Sequence, residues 1–222
     1  MSQPVPPETH TRTVVHLLRH GEVYNPSGVL YGRLPDFHLS ELGVKMAERA
    51  AGFFTGRDVT HLVSSPLERA QETAAPTAAA LDLDVHIDER VLEAGNSFQG
   101  ETFGVGDGAL WHPGAWWRLR NPFRPSWGEP YVEIAARMLS AAGDARDAAR
   151  GREAVVVSHQ LPVWIARCAA EGRRYVHDPR QRQCALASVT SLTYVGDTIQ
   201  SVAYNEPAAD LLGPADDQQF GA

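Results

Sequence analysis

The 222-residue chain carries 20 Lys and Arg residues against 27 Asp and Glu residues, so its formal net charge is −7 with neutral histidines. With 43% hydrophobic and 21% charged residues, the composition is that of an ordinary globular protein and excludes disorder of the whole chain. The acidic balance argues against a nucleic-acid-binding protein, which needs a basic surface to neutralise phosphates.

The cysteines and the hydropathy pattern exclude further classes. Cys168 and Cys184 lie in segments typical of a core, without metal-ligand spacing, so we expect neither a disulfide scaffold nor a metal site. The start of the chain, MSQPVPPETHTRT, lacks the charged and apolar regions of a signal peptide, and no later run reaches the roughly 20 apolar residues of a membrane span. We therefore expect a cytoplasmic protein without a membrane partner.

Short apolar runs alternate with longer amphipathic ones along the chain. The predicted elements are strand Val14–Leu18, helix Glu41–Phe54, strand His61–Ser64, helix Leu67–Leu81, strand Asp84–Ile87, helix Tyr131–Arg150, strand Ala154–Ser158, helix Val163–Glu171, and a strand pair Ser188–Tyr194 and Thr198–Tyr204 turning at Gly196-Asp197. This order predicts an α/β fold, a three-layer α/β/α sandwich with a mostly parallel central sheet.

We expect one domain over residues 12–205, flanked by loose termini at 1–11 and 206–222. Residues 95–128 are dense in Gly, Pro and Trp and interrupt the alternation, which indicates a long insertion. Long insertions in compact domains are often functional, and this one could cap the active site.

Two strands deliver a histidine at the carboxyl end. VVHLLRHGEV places Arg19, His20 and Gly21 at the end of the first strand, and AVVVSHQLP places His159 at the end of a later one. A single histidine at such a position is usually structural. Because ligands of open α/β sheets bind at the carboxyl ends of the strands, the pair with an adjacent arginine indicates a functional site.

The segment SSPLERAQETA has the signals of a helix start. Ser65 is the predicted N-cap, Pro66 the first helical residue, and Glu68 the partner in a capping box. Arg69 would then lie in the first turn, at the same sheet edge as His20, where it could bind an anion.

These segments resemble the histidine phosphatase superfamily, also called the phosphoglycerate mutase-like family. Five stretches match its motifs in order: Arg19-His20-Gly21, GRLPDFHLSELGVKMA, SSPLERAQETA, VLEAGNSFQG and SHQLPVWIAR. The resemblance covers residues 12 to 205 and favours a phosphatase-type member, because the pattern of the mutases around the triplet and in the insertion is missing.

The resemblance implies the roles of several residues. His20 would be the nucleophile that becomes phosphorylated, Arg19, Arg69 and His159 would line the phosphate pocket, and Glu93 would be the proton donor. Arginine forks suit this chemistry because they bind two oxygens of a phosphoryl group and stabilise the charge that it carries in the transition state. The implied reaction is hydrolysis of a small phosphorylated metabolite, without a metal or other cofactor.

The chain departs from the family pattern near the site. Val23 replaces a common hydroxyl residue, and Asn25, the candidate for a phosphate-binding asparagine, falls one position early. Gln160-Leu161-Pro162 replaces a glycine-containing segment, which leaves the Gln160 backbone N–H as a candidate phosphate contact. Further on, Pro130 replaces a serine and Phe98-Gln99-Gly100 replaces an acidic motif.

Several alternatives stay open. The insertion ALWHPGAWWRLRNPFRPSWGEP could pack on the domain, form a lid that selects the organic part of the substrate, or stack on single-stranded nucleic acid, which the acidic charge disfavours. The function could be mutase-type phosphoryl transfer, or phospho-ligand binding after loss of catalysis. Exposed aromatic residues make a homodimer possible.

Overall fold

The computed structural model describes residues 11–102 and 128–212 of the chain. Its strands are β1 (Arg12–Arg19), β2 (Val59–Ser64), β3 (Val85–Ile87), β4 (Glu153–Ser158), β5 (Val189–Val195) and β6 (Thr198–Asn205). Its α-helices are α1 (Glu41–Phe54), α2 (Glu68–Leu81), α3 (Tyr131–Ala148) and α4 (Gln160–Ala170).

The six strands form one sheet in the order β3-β2-β4-β1-β5-β6. The pairs β1–β4, β2–β4 and β2–β3 are parallel, whereas β5 pairs antiparallel with both β1 and β6. The carboxyl ends of β1, β4 and β2 therefore lie side by side at one edge, and the predicted mostly parallel sheet is confirmed.

The helices cover both faces of the sheet because alternate residues of the central strands point in opposite directions. Val15, Leu17 and Val156 join the core cluster with α3 and α4. Leu18 and Val157 join the cluster with α1 and α2. Two helical layers enclose the sheet, which confirms the α/β/α sandwich.

The N-terminus of α4 differs from the sequence prediction. The helix begins at Gln160, three positions before the predicted Val163, and contains Pro162 in its first turn. Proline is tolerated there because the first N–H groups of a helix have no intrahelical acceptor to lose. His159 becomes the residue that caps the helix.

The predicted capping box of α2 was wrong. The helix begins at Glu68, its N-cap is Leu67, and no side chain caps it. Ser65 Oγ accepts a hydrogen bond from Leu67 N at 3.4 Å but also binds His159 Nε2 at 2.8 Å. Ser65 thus contacts His159, the residue that follows β4, and the local sequence pattern does not show this contact.

The two ends and the insertion complete the comparison. Residues 206–212, which the sequence places in a loose tail, carry a 3-10 helix at Ala209–Leu211, and Ala208 packs with Met46 and Leu186. Residues 1–10 and 213–222, together with 103–127, which include the Trp/Arg-rich part of the predicted insertion, lie outside the described residues. The described ends of that insertion are joined by an antiparallel bridge between Asn96 and Gly128.

Candidate active site

The register of two buried strands brings the predicted histidines together. Arg19, the last residue of β1, pairs with Ser158, the last residue of β4, and His20 N donates to Ser158 O at 3.0 Å. The next residue on each strand is therefore a histidine at the same edge. The rings of His20 and His159 lie 5.1 Å apart between centroids.

The His20 imidazole is buried, oriented and neutral. Its Nδ1 lies 2.7 Å from Gly21 O, so the carbonyl accepts the Nδ1 proton and leaves a lone pair on Nε2. Burial lowers the pKa of His20 well below its ordinary value, and the charges of Arg69 and Arg19 lower it further. A neutral imidazole with a free Nε2 lone pair is the form that can act as a nucleophile.

His159 faces the same space from β4. Its Nε2 lies 2.8 Å from Ser65 Oγ, and its buried Nδ1 has no hydrogen-bond partner among the described residues. Burial, followed by the charge of Arg69, holds the pKa of His159 well below its ordinary value. The ring is therefore also neutral and can offer one N–H donor to an anion.

Arg69 is a fully buried cation with unused donors. Its Nη2 donates to Gly32 O at 2.6 Å, and its guanidinium carbon lies 4.7 Å from the centre of the Tyr31 ring. The Nε and Nη1 atoms have no partner among the described residues, although buried polar groups are normally paired. Burial lowers the pKa of this guanidinium, so a bound anion would be strongly favoured.

Arg19 supplies a second guanidinium to the cluster. Only 2% of the residue is exposed, and its Nη1 donates to Cys184 O at 2.6 Å. Its charge lowers the pKa of both His20 and His159, which places it beside the two imidazoles.

Glu93 is the buried carboxyl group of the site. It follows a 3-10 helix at Glu89–Val91, is 1% exposed, and its Oε1 accepts from Ala94 N at 2.7 Å. Burial raises the pKa of Glu93, and this effect exceeds the opposing influence of the Ala94 hydrogen bond and of Arg69. A carboxyl group with a raised pKa beside a neutral imidazole is the pairing expected of a proton donor and a nucleophile.

Side-chain hydrogen bonds hold the loops that carry these groups. Thr73 Oγ1, on α2, accepts from Gly21 N at 3.1 Å and donates to Arg69 O at 2.7 Å. Arg137, on α3, donates to the carbonyls of Arg90 and Leu92 at 2.5 and 2.7 Å, which fixes the segment leading to Glu93. The site is thus preorganised by groups on two different helices.

The structure does not join Asn25 to this cluster. Its amide nitrogen donates to Val29 O at 2.8 Å and its Oδ1 accepts from Val29 N at 3.3 Å, so the loop itself uses both ends of the amide. Gln160 lies next to His159 as the first residue of α4 and is 6% exposed. Phosphate binding by either residue stays a prediction.

Sequence reasoning missed Arg182. Its Nε donates to His177 Nε2 at 2.8 Å, its Nη1 donates to Gln160 Oε1 at 3.2 Å, and its charge lowers the pKa of Glu93. The arginine follows a 3-10 helix at Pro179–Gln181. No periodicity or motif distinguishes it in sequence from the nearby Arg173 and Arg180, so only the fold could identify it.

Two features of the described residues bear on other classes of function. Neither range contains a group of three or more His, Cys, Asp or Glu side chains that could hold a metal ion. Within the same ranges, every helix is too short or too polar to cross a bilayer.

Comparison with known proteins places this geometry in context. The family model of the histidine phosphatase superfamily (branch 1) matches residues 15–207. An uncharacterized protein of Mycobacterium tuberculosis is 57% identical over 197 residues, which cover 89% of this chain and 98% of the relative. A glucosyl-3-phosphoglycerate phosphatase of Mycobacterium tuberculosis is 38% identical over 125 residues, 54% of this chain and 55% of that protein. The native structure of mycobacterial glucosyl-3-phosphoglycerate phosphatase superposes with a TM-score of 0.67 at 28% identity, covering 87% of this chain and 96% of that one.

Proposed function

The chain belongs to the histidine phosphatase superfamily, and from this premise we propose that it hydrolyses phosphomonoesters of small metabolites through a phosphohistidine on His20, without a metal ion. The observation that carries the proposal is the neutral, buried imidazole of His20 beside buried donors of Arg69 and His159 that have no partner among the described residues. Such a cluster fits a bound phosphoryl group, which brings the acceptor oxygens that these donors lack.

In the first step, the Nε2 lone pair of His20 attacks phosphorus, the N–P bond forms, and the bond from phosphorus to the ester oxygen breaks. Arg19 and Arg69 stabilise the charge on the equatorial oxygens of the transition state. Glu93, whose pKa is raised by burial, transfers its proton to the departing oxygen, so the alcohol leaves neutral.

In the second step, the Glu93 carboxylate accepts a proton from a water molecule that attacks the phosphohistidine. The N–P bond breaks, inorganic phosphate forms, and Glu93 and His20 return to their starting states. His20 accepts the phosphoryl group in the first step and donates it to water in the second, so the proposed reaction needs no cofactor.

Two observations favour hydrolysis over mutase-type phosphoryl transfer. The motifs of the mutases are missing around the triplet, and both the sequence and the structural comparison name a glucosyl-3-phosphoglycerate phosphatase, whereas a relative named as a phosphoglycerate mutase is similar over 80 residues, 36% of this chain. The sequence retains His20, Arg19, Arg69, Glu93 and His159 together, which argues against a binding protein that has lost catalysis.

The test is phosphate release from a panel of phosphomonoesters, including p-nitrophenyl phosphate and 3-phosphoglycerate, in EDTA. We expect release by the wild type and none by His20→Ala. His86→Ala, which removes an exposed imidazole on β3, is the matched control and should keep full activity. Undiminished release by folded His20→Ala would refute the mechanism. Interconversion of phosphoglycerates without release would identify a mutase, and a folded wild type inert on the whole panel would identify a binding protein.

A further inference from the structure

Arg182 contacts the start of α4 next to His159, and the phosphate-binding groups do not explain its presence there. The three guanidinium groups that lower the pKa of Glu93 are those of Arg69, Arg182 and Arg19. Arg69 and Arg19 also act on His20, the phosphoryl acceptor, whereas Arg182 is not among the groups that shift the pKa of His20. Arg182 is tied instead to the first residue of α4, since its Nη1 donates to Gln160 Oε1 at 3.2 Å, directly after His159.

The guanidinium of Arg182 is held rigidly and keeps unused donors. Its Nε donates to His177 Nε2 at 2.8 Å, and the Nδ1 of that histidine lies 2.5 Å from Tyr175 O, which fixes the tautomer that accepts from Arg182. The His177 ring packs against Tyr131 and Trp164 at centroid distances of 5.9 and 5.6 Å. Besides the bonds to His177 and Gln160, the described residues supply no acceptor for its other N–H groups.

The charge of Arg182 is poorly compensated. It forms no ion pair with a carboxylate in the described ranges, unlike Arg180, which binds Asp178 at 2.8 Å. Burial lowers the pKa of Arg182, and Glu93 is the carboxyl group with the largest opposing effect. When Glu93 is protonated, as a proton donor must be, that compensation disappears and leaves a half-buried cation that favours an anion.

We propose that Arg182, held by His177 and Gln160, is the specificity-determining residue that binds a carboxylate on the alcohol part of the substrate. The inference rests on the proposed function, because a proton donor must contact the ester oxygen of the leaving alcohol. The rest of that alcohol then extends from Glu93 on the side away from the phosphoryl group. A planar guanidinium is suited to a carboxylate at that place.

Two matched substrate pairs test the proposal. 3-Phosphoglycerate and glycerol 3-phosphate differ in a carboxylate against a hydroxymethyl group, and O-phosphoserine and O-phosphoethanolamine differ in a carboxylate against hydrogen. We expect kcat/KM to favour the carboxylate member of at least one pair by about 10- to 100-fold, the effect of one charge-assisted hydrogen bond or a bidentate pair. Arg182→Gln should abolish that ratio, which is taken within each pair and therefore does not depend on the overall rate of the variant.

Arg180→Gln is the matched control, because Arg180 lies two positions away, is exposed and ion-paired, and carries the same charge. It should retain the wild-type ratio. A purely structural role for Arg182 would lower both members of a pair equally. Should Arg182→Gln fail to fold, Arg182→Met keeps an unbranched side chain without the charge and gives the same comparison.

The outcomes separate this inference from the proposed function. Hydrolysis of p-nitrophenyl phosphate with equal kcat/KM within both pairs, or a carboxylate preference that survives removal of Arg182, overturns the role of Arg182 and leaves the phosphatase mechanism intact. A folded wild type that hydrolyses none of the five phosphoesters overturns the proposed function and this inference with it.

Discussion

The rings of His20 and His159 lie 5.1 Å apart and are inclined at 60° to one another, although they come from opposite halves of the sequence. Their separation follows from the parallel register of β1 and β4, in which Arg19 pairs with Ser158. A shift of one residue would turn these strands to the opposite faces of the sheet, so the buried Val and Leu residues of the core hold the pair in place.

Removal of the proton donor should slow hydrolysis to a degree that depends on the leaving group of the substrate. Glu93→Gln keeps the shape and the hydrogen bond to Ala94 but cannot donate a proton. We expect kcat to fall about 10²- to 10⁴-fold on an alkyl phosphate and much less on p-nitrophenyl phosphate, whose alcohol leaves without a proton. The measurement is steady-state kinetics on both substrates. The exposed Glu89→Gln is the control; an equal loss on both substrates would contradict the assignment.

The pH profile of the activity should be bell-shaped. His20 must be neutral, and its pKa is well below the ordinary 6.5, so activity should fall only below that pH. Glu93 must be protonated, and burial raises its pKa above the ordinary 4.5, so activity should also fall as pH rises through this raised pKa. Glu93→Gln should remove the alkaline limb of kcat/KM. Ionisation of the substrate affects the wild type and Glu93→Gln equally, so identical pH profiles of the two proteins would exclude Glu93 as the proton donor.

Thr73 should stabilise both the fold and the site. Thr73→Val leaves the buried N–H of Gly21 without its acceptor, at a cost of about 1–3 kcal/mol in the free energy of unfolding, and loosens His20. Thr77→Val, one turn further along α2, is a matched control, because the buried Thr77 hydroxyl has no partner among the described residues. Urea unfolding should separate the two variants, and equal stability of both would refute the role of Thr73.

Two glycines of α1 should respond oppositely to alanine. A Cβ on Gly43 would lie 2.0 Å from Glu22 O, in the loop that follows His20, whereas one on Gly52 meets nothing within 4 Å. Gly52→Ala should stabilise the protein by about 0.5–1 kcal/mol, because alanine restricts the unfolded chain. Gly43→Ala should cost about 1–3 kcal/mol and lower activity, because the loop must move. Thermal unfolding of both variants is the check, and a stabilised Gly43→Ala would contradict the close contact.

Periodicity predicted the bounds of α1 and the sheet class, because both depend on local alternation of apolar residues that the core then satisfies. The start of α4 and the cap of α2 were predicted incorrectly. The first turn of α4 accommodates Pro162, so the helix begins before the predicted Val163, and Ser65 is used by His159, a partner distant in sequence. Arg182 was missed for the same reason, since only the fold brings it to Glu93 and Gln160.

The most direct test of the central claim is capture of the covalent intermediate. Wild-type protein mixed with a phosphomonoester and quenched within milliseconds under alkaline conditions, which preserve phosphohistidine, is digested and examined by mass spectrometry. The account predicts one phosphoryl group on the peptide that contains His20, formed and lost at rates compatible with turnover, and none in His20→Ala. Rapid turnover without any phosphorylated His20, or a phosphoryl group on another residue, would contradict it.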